Sequence, residues 1–277
     1  MTSLLGLPRL RLGARRRSSG PAGSGDDPAV LAPVATTPAQ RRTAHMAASL
    51  LLAYPDDDTL AAAAAVRPAL AGLPEPVAER LGAFCDVLDH AASGSGSDGS
   101  GGPGGPGTRE LRELQARYVA TFDLKRKCSM YLSYYAAGDT RRRGLALVRF
   151  VEAYRAAGWE LAARTTAGGP ELPDYLPMVL EFSARTTGDD ATIAAGLLGS
   201  HRDGIEVLRS ALADTGAPWT GVVEAVCLTL PPLDEATARR YEALVTAGPP
   251  TEMVGLEGMD GLAPFGPTDA DERGGRR

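Results

Sequence analysis

Apolar side chains recur at helical spacing along most of the chain. Met46, Leu50 and Ala53 stand at i, i+4, i+7, and Leu147, Val151 and Tyr154 repeat that interval. Ile205, Leu208 and Leu212 follow at i, i+3, i+7, and Val222, Val223, Val226, Cys227 and Leu230 make a broader stripe. A period near 3.6 residues puts each set on one side of a helix, and the period-2 alternation of a half-buried strand is absent. Helix entrances carry short polar side chains that accept from first-turn amides. Asp56–Asp58 precede an Ala-rich run, Asp139 and Thr140 precede RRRGLALVRFVEAY, and Asp234 precedes EATARRYEALV. Pro173 and Pro177 flank one more entrance, where a missing N–H costs little. The pattern predicts an all-α fold, a single bundle-like domain of eight to ten helices.

Three stretches break the periodicity. Residues 1–38 are rich in Arg, Gly, Pro and Ala, and 91–108 reads AASGSGSDGSGGPGGPGT. Residues 248–277 set Pro, Gly and acidic residues around two apolar pieces, Met253-Val254 and Met259–Phe265. Compositions of this kind cannot bury enough apolar surface to fold alone. The helical domain is therefore expected over 39–247, between a disordered extension and a disordered tail. The 91–108 segment is read as a flexible insertion in a surface loop, because about 50 residues before it are too few for a stable domain of their own.

Charge narrows the choice of partner. With 29 basic and 34 acidic side chains the net charge is −5, which disfavours nucleic acid as a ligand. No apolar run is long enough to cross a bilayer. The N-terminal arginines follow the short apolar start instead of preceding it, the reverse of a secretory signal, so the cytoplasm is the expected compartment. Cys85, Cys128 and Cys227 are an odd number, widely spaced, and fit neither a disulfide scaffold nor a zinc ribbon.

A search for catalytic chemistry yields little. His45, His90 and His201 lie on separate elements without a metal-ligand pattern, and nucleotide-binding, hydrolase and metalloprotease motifs are all missing. Cys128 follows Lys125, Arg126 and Lys127, cations that favour a thiolate, but no histidine partner is near in sequence. Glu171, Asp174 and Glu181 are the one carboxylate group able to serve a helical metal- or carboxylate-dependent enzyme. A helix cap plus a partner for an arginine explains them more simply. Two segments stand out by composition. Residues 118–143 hold Tyr118, Tyr131, Tyr134 and Tyr135 and both lysines of the chain, and 171–182 reads ELPDYLPMVLEF. Such aromatic and cationic density suits either a protein interface or helix packing.

Quoted together, YVxTFDLxxxCxxYLxYYxxGDTRRRGxALxxFxxAYRxxGWEL, ELPDYLPxxLEF and the earlier LLLAYPDD (Leu50–Asp57) resemble the NarJ-type delta subunit of respiratory nitrate reductase. That family lies within the wider group of redox-enzyme maturation chaperones, and the resemblance spans about residues 40–246. It implies an all-helical chaperone with no catalytic residue and no cofactor of its own. The implied partner is the apo catalytic subunit of nitrate reductase. Its N-terminal peptide would lie as an amphipathic helix in a groove while the molybdenum cofactor is inserted, before membrane attachment. The E-x-P-D motif of the wider group matches Glu171, Pro173 and Asp174, which with Tyr175 and Pro177 are the expected polar rim of that groove. Tyr118, Phe122, Tyr131, Tyr134, Tyr135, Leu147 and Tyr154 are its expected lining, and Asp139, Arg141, Arg143, Asp174 and Glu181 its orienting charges. The apolar pieces of the tail are candidates for a plug that docks back into it.

Overall fold

A computed structural model describes residues 31–93, 108–161 and 171–232, together with Glu235 and Arg239. The expected helix entrance at Asp234, the tail and most of the extension and insertion lie outside the described residues. Among those described, ten α-helices follow one another: α1 (Pro38–Leu51), α2 (Asp57–Leu70), α3 (Glu75–Ser93), α4 (Arg109–Tyr118), α5 (Leu132–Ala137), α6 (Arg142–Ala156), α7 (Leu176–Arg185), α8 (Gly188–Ser200), α9 (Arg202–Asp214) and α10 (Thr220–Thr229). A π-helical turn at Val119–Asp123 and a 3-10 turn at Arg126–Cys128 lie between α4 and α5. The fold is all-α, as the periodicity predicts.

The helix starts follow local chemistry. At α1 the Thr37 hydroxyl accepts from the Gln40 amide (3.2 Å) while the Gln40 side chain accepts from the Thr37 amide (3.0 Å), a reciprocal capping box. Asp56 accepts from the Thr59 amide at the entrance of α2. Just before the cap residue Arg141 of α6, the Thr140 hydroxyl accepts from the Arg142 amide, while Asp139 pairs with Arg143 at 3.5 Å. Residues 31–37, inside the expected extension, join the core: Leu31 and Val34 pack against it, and the Val34 amide donates to the Leu228 carbonyl. The ends of the insertion also meet. The Thr108 hydroxyl, which caps α4, donates to the Ala91 carbonyl of α3.

Packing centres on α1, α3, α7, α9 and α10. The α10 stripe and Ile205, Leu208 and Leu212 of α9 are fully or almost fully buried, as their spacing demands. An aromatic knot lies between α3, α4 and α10. Trp219 stands 5.3 Å from both Tyr118 and Phe122 and 5.8 Å from Phe84, ring centre to ring centre. Every residue of α9 from Arg202 to Leu212 is buried, charged ones included. There Glu206 accepts from Arg202 (2.6 Å) and Arg209 (2.7 Å), and Arg202 also donates to the Cys227 carbonyl of α10. On its opposite side, Gly204 faces the Tyr135 ring so closely that a Cβ would stand 2.7 Å from it, which is why α9 and α5 can touch only at a glycine.

The stripe Met46–Leu50–Ala53 is different. Ala44, Ala47, Ala48 and Leu51 face the core, whereas Leu50 and Ala53 stay half-buried at an open cleft.

Candidate binding cleft

The two compositionally unusual segments are stitched to each other. The Leu132 amide donates to the Asp174 carbonyl (3.0 Å) and the Leu176 amide to the Met130 carbonyl (2.8 Å), a single antiparallel bridge between Tyr131 and Tyr175. The Tyr154 hydroxyl donates to the Pro173 carbonyl (2.7 Å), and the Tyr131 hydroxyl donates to Glu171 (3.0 Å). One carboxylate oxygen of Asp174 accepts from both the amide (3.0 Å) and the hydroxyl (2.5 Å) of Ser133. It thereby caps the first turn of α5 from a distant point in the chain. Each of the residues Glu171, Pro173 and Asp174 is thus held by a partner from 131–154.

This stitching sets one wall of an open cleft of about 540 Å³. Ser49 and Leu50 of α1 and Ala53 just beyond it line one side, Pro177, Met178 and Phe182 of α7 the floor, and Glu181 its edge. Tyr154, Trp159, Glu160 and Leu161 close the far side, with Glu171 and Tyr175 at the end. The Ser49 hydroxyl donates to the Pro177 carbonyl (2.7 Å), fixing α1 against the first turn of α7. Phe182 meets Tyr154 edge-on at 4.8 Å and Trp159 at 6.1 Å. Gly158 makes that second contact possible. With φ at +74° it takes the left-handed conformation that ends α6 and turns the chain, so that Trp159 and Leu161 point back over the cleft. Trp159 and Leu161 remain more than a third exposed, as does Leu172 nearby in the chain. The floor is apolar, and the carboxylates at its edge are Glu160, Glu171 and Glu181, the last paired with Arg185 at 2.8 Å.

Of the residues expected at the site, Tyr154, Glu171, Tyr175, Pro177 and Glu181 line this cleft. Tyr131 stands behind Glu171, its ring 5.4 Å from Tyr175 and beneath the Arg143 guanidinium at 5.6 Å. Burial and then the Glu171 charge push its hydroxyl above the ordinary tyrosine range. Tyr118, Phe122, Tyr134 and Tyr135 are interior: Tyr118 and Phe122 belong to the aromatic knot, and the Tyr135 hydroxyl donates to the Lys127 and Ser129 carbonyls. Asp174 is wholly buried and faces α5, not a rim. Pro173 gives its carbonyl to Tyr154 and is buried. Asp139, Arg141, Arg143 and Leu147 lie at the start of α6, outside the cleft lining.

Glu171, Asp174 and Glu181 do not act as a set, since each has its own separate partner. Among the described residues no group of three His, Cys, Asp or Glu side chains stands close enough to hold a metal ion. Cys128 is buried, and desolvation raises its thiol despite Lys125, which pulls the other way. Leu50, Ala53, Trp159, Leu161, Met178 and Phe182 are cleft residues that the motif reading passed over. Leu50 and Ala53 sit on an apolar stripe that the sequence alone does not separate from a core face, whereas Trp159 directly follows the glycine that ends α6.

No helix among the described residues is long and apolar enough to cross a membrane. A model of the family described as nitrate reductase delta subunit matches residues 70–224. The chain is 40% identical over 115 residues to the nitrate reductase-like protein NarX of Mycobacterium tuberculosis, covering 41% of this chain and 16% of that protein. It is 40% identical over 67 residues to the probable nitrate reductase molybdenum cofactor assembly chaperone NarJ of Bacillus subtilis, covering 24% and 33%. With the nitrate reductase molybdenum cofactor assembly chaperone NarJ of Escherichia coli it shares 36% identity over 77 residues, covering 28% and 30%. The matched part spans a third or less of the length of each of these relatives.

Proposed function

Because the chain belongs to the nitrate reductase delta subunit family, we propose that it is an assembly chaperone for a nitrate reductase. It acts in the cytoplasm, without turnover, while the molybdenum cofactor is inserted into its client. The site of action is the cleft between α1, α7 and the end of α6, and the occupant is the N-terminal segment of the apo catalytic subunit. The observation that carries this reading is an open cleft whose floor is apolar and whose lining carries the aromatic side chains of Tyr154, Trp159 and Phe182. An amphipathic helix lays its i, i+3, i+4, i+7 anchors into a groove of this kind. The edge carboxylates Glu160, Glu171 and Glu181 favour a segment with basic residues flanking its apolar anchors.

Calorimetric titration with a client peptide of about 15 residues, roughly four helical turns, tests the reading. Saturable one-to-one binding in the micromolar range, about −8 kcal/mol, is expected, strong enough to hold a client and weak enough to release it. Trp159→Ala and Met178→Glu, at accessible cleft positions, should each weaken it about tenfold or more without altering the melting curve. Absence of binding, or binding that neither substitution disturbs, would remove the cleft from the account.

A further inference from the structure

Helix α6 contributes little to the core: of its fifteen residues only Phe150 and Tyr154 are buried. Its outward positions include Arg142, Leu145, Val148, Arg149, Glu152 and Arg155, all exposed. At 100° per residue these six fall within an arc of about 140° on one side of the helix. Leu145 is 61% exposed and Val148 49%, a degree of exposure that aliphatic side chains on a packed helix do not need. Arg142, Arg149 and Arg155 surround them, and none of the three forms an ion pair among the described residues. Glu152 is the one carboxylate of the arc. This face is locally cationic in a chain whose net charge is −5.

From this arrangement we infer that the outward face of α6 is a peripheral docking surface for an anionic lipid bilayer; its Arg155 end adjoins the cleft, where Arg155 lines a pocket with Tyr154, Trp159, Glu160 and Leu161. Two aliphatic side chains flanked by arginines give this face both an apolar and a cationic contact for a lipid headgroup layer. The aliphatic groups enter the headgroup boundary, and the guanidinium groups remain at the phosphate level on their long stems. The side of a single helix is convex and offers no pocket of its own, which suits a fluid surface better than a folded partner needing a complementary cavity. Two inserted aliphatic side chains and three arginines give weak, salt-sensitive and reversible attachment. The inference does not rest on the identity of the client: the cleft opens between α1, α7 and the end of α6, and the docking face is the outer side of α6.

Vesicle co-sedimentation of the full chain tests it, with phosphatidylcholine vesicles with and without about 40% phosphatidylglycerol, a composition that sets a strongly negative surface potential. Binding is expected only to the anionic vesicles, and it should vanish at high salt. The triple substitution Arg142→Gln, Arg149→Gln, Arg155→Gln should weaken it by on the order of a hundredfold. Leu145→Ser with Val148→Ser should weaken it about tenfold or more, with circular dichroism and the client-peptide affinity unchanged. Failure to bind anionic vesicles overturns the inference. So does binding that survives the arginine substitutions, which would assign it to another basic part of the chain, such as the arginines among residues 9–17. Binding to polyglutamate but not to vesicles, lost in the arginine variant, would assign the face to an acidic protein and equally overturn it.

Discussion

Removing the Asp174 carboxylate leaves the amide and hydroxyl of Ser133 without their acceptor at the buried start of α5. Asp174→Ala is therefore expected to lower stability by about 3 kcal/mol, since both lost bonds are charge-assisted and the donors stay buried. Urea denaturation measures this, and an unchanged midpoint would show that α5 does not depend on the cap. Any loss of client affinity in that variant has to be read against its folding loss. His45 makes a second residue-scale case. Its Nδ1 lies 2.9 Å from the Ser183 hydroxyl and its Nε2 3.0 Å from the Thr229 hydroxyl, which itself donates to the Val226 carbonyl. Thr229 must therefore accept, and the imidazole is neutral with its proton on Nε2. Burial, aided by Arg41, lowers its pKa to about 3. The unfolded chain binds a proton near pH 6.5 that the folded chain refuses, so stability present above that pH is lost as pH falls towards 3. The slope of that loss steepens below pH 6.5 and approaches about 1.4 kcal/mol per pH unit near pH 5. His201, lowered by burial in the same way, adds loss of the same sign. His45→Gln should remove the His45 share of the slope in denaturation series across pH, and an unaltered slope would contradict the assignment.

At the scale of the helix, α9 has no solvent side in its central turns. Arg202, Glu206 and Arg209 recur at i, i+4, i+7, a spacing that in sequence is indistinguishable from a wet, ion-paired face. The structure instead closes the triad inside, where the Glu206 carboxylate is shared by both guanidinium groups. Glu206→Ala should thus cost about 3–5 kcal/mol, the penalty of leaving a buried guanidinium without its carboxylate, far above the few tenths expected of a surface pair. A melting-temperature change within a degree or two would place the triad in effective contact with water. The same ambiguity, in reverse, hid the cleft. Apolar periodicity locates the faces that avoid water, but an open groove and a core use the same side chains. Leu50 and Ala53 could not be told from core residues until α1 was seen to present Ala44, Ala47, Ala48 and Leu51 inward. The fold class and the Asp56 cap were legible because they depend on neighbours in the chain. The burial of Tyr118, Phe122, Tyr134 and Tyr135 was not, because an aromatic side chain packed in the interior carries the same letter as one in a groove.

Across the whole molecule, helices distant in the chain share one core, and specific hydrogen bonds fix how its connections are laid out. Thr108 meets Ala91 directly, so residues 94–107 connect two points that are already in contact. Excision of those residues in favour of a short Gly/Ser turn is expected to preserve the circular dichroism spectrum, the melting temperature within a few degrees, and peptide affinity. A collapsed spectrum would show that the insertion contributes to the core. The clasp between 131–154 and 171–176 has a different reach. Its bonds are made by Tyr131, Ser133, Tyr154 and backbone groups, and they are spent on holding the chain to itself. Tyr154 and Glu171 line the cleft and serve the clasp as well, whereas Leu50, Ala53, Trp159, Leu161 and Met178 line it and take no part in the clasp. On the proposed reading, recognition can be varied at these five positions without touching the clasp. Exchanging those few positions for a relative's, with the clasp left intact, is a route to re-aiming such a chaperone at a foreign reductase without redesigning its frame.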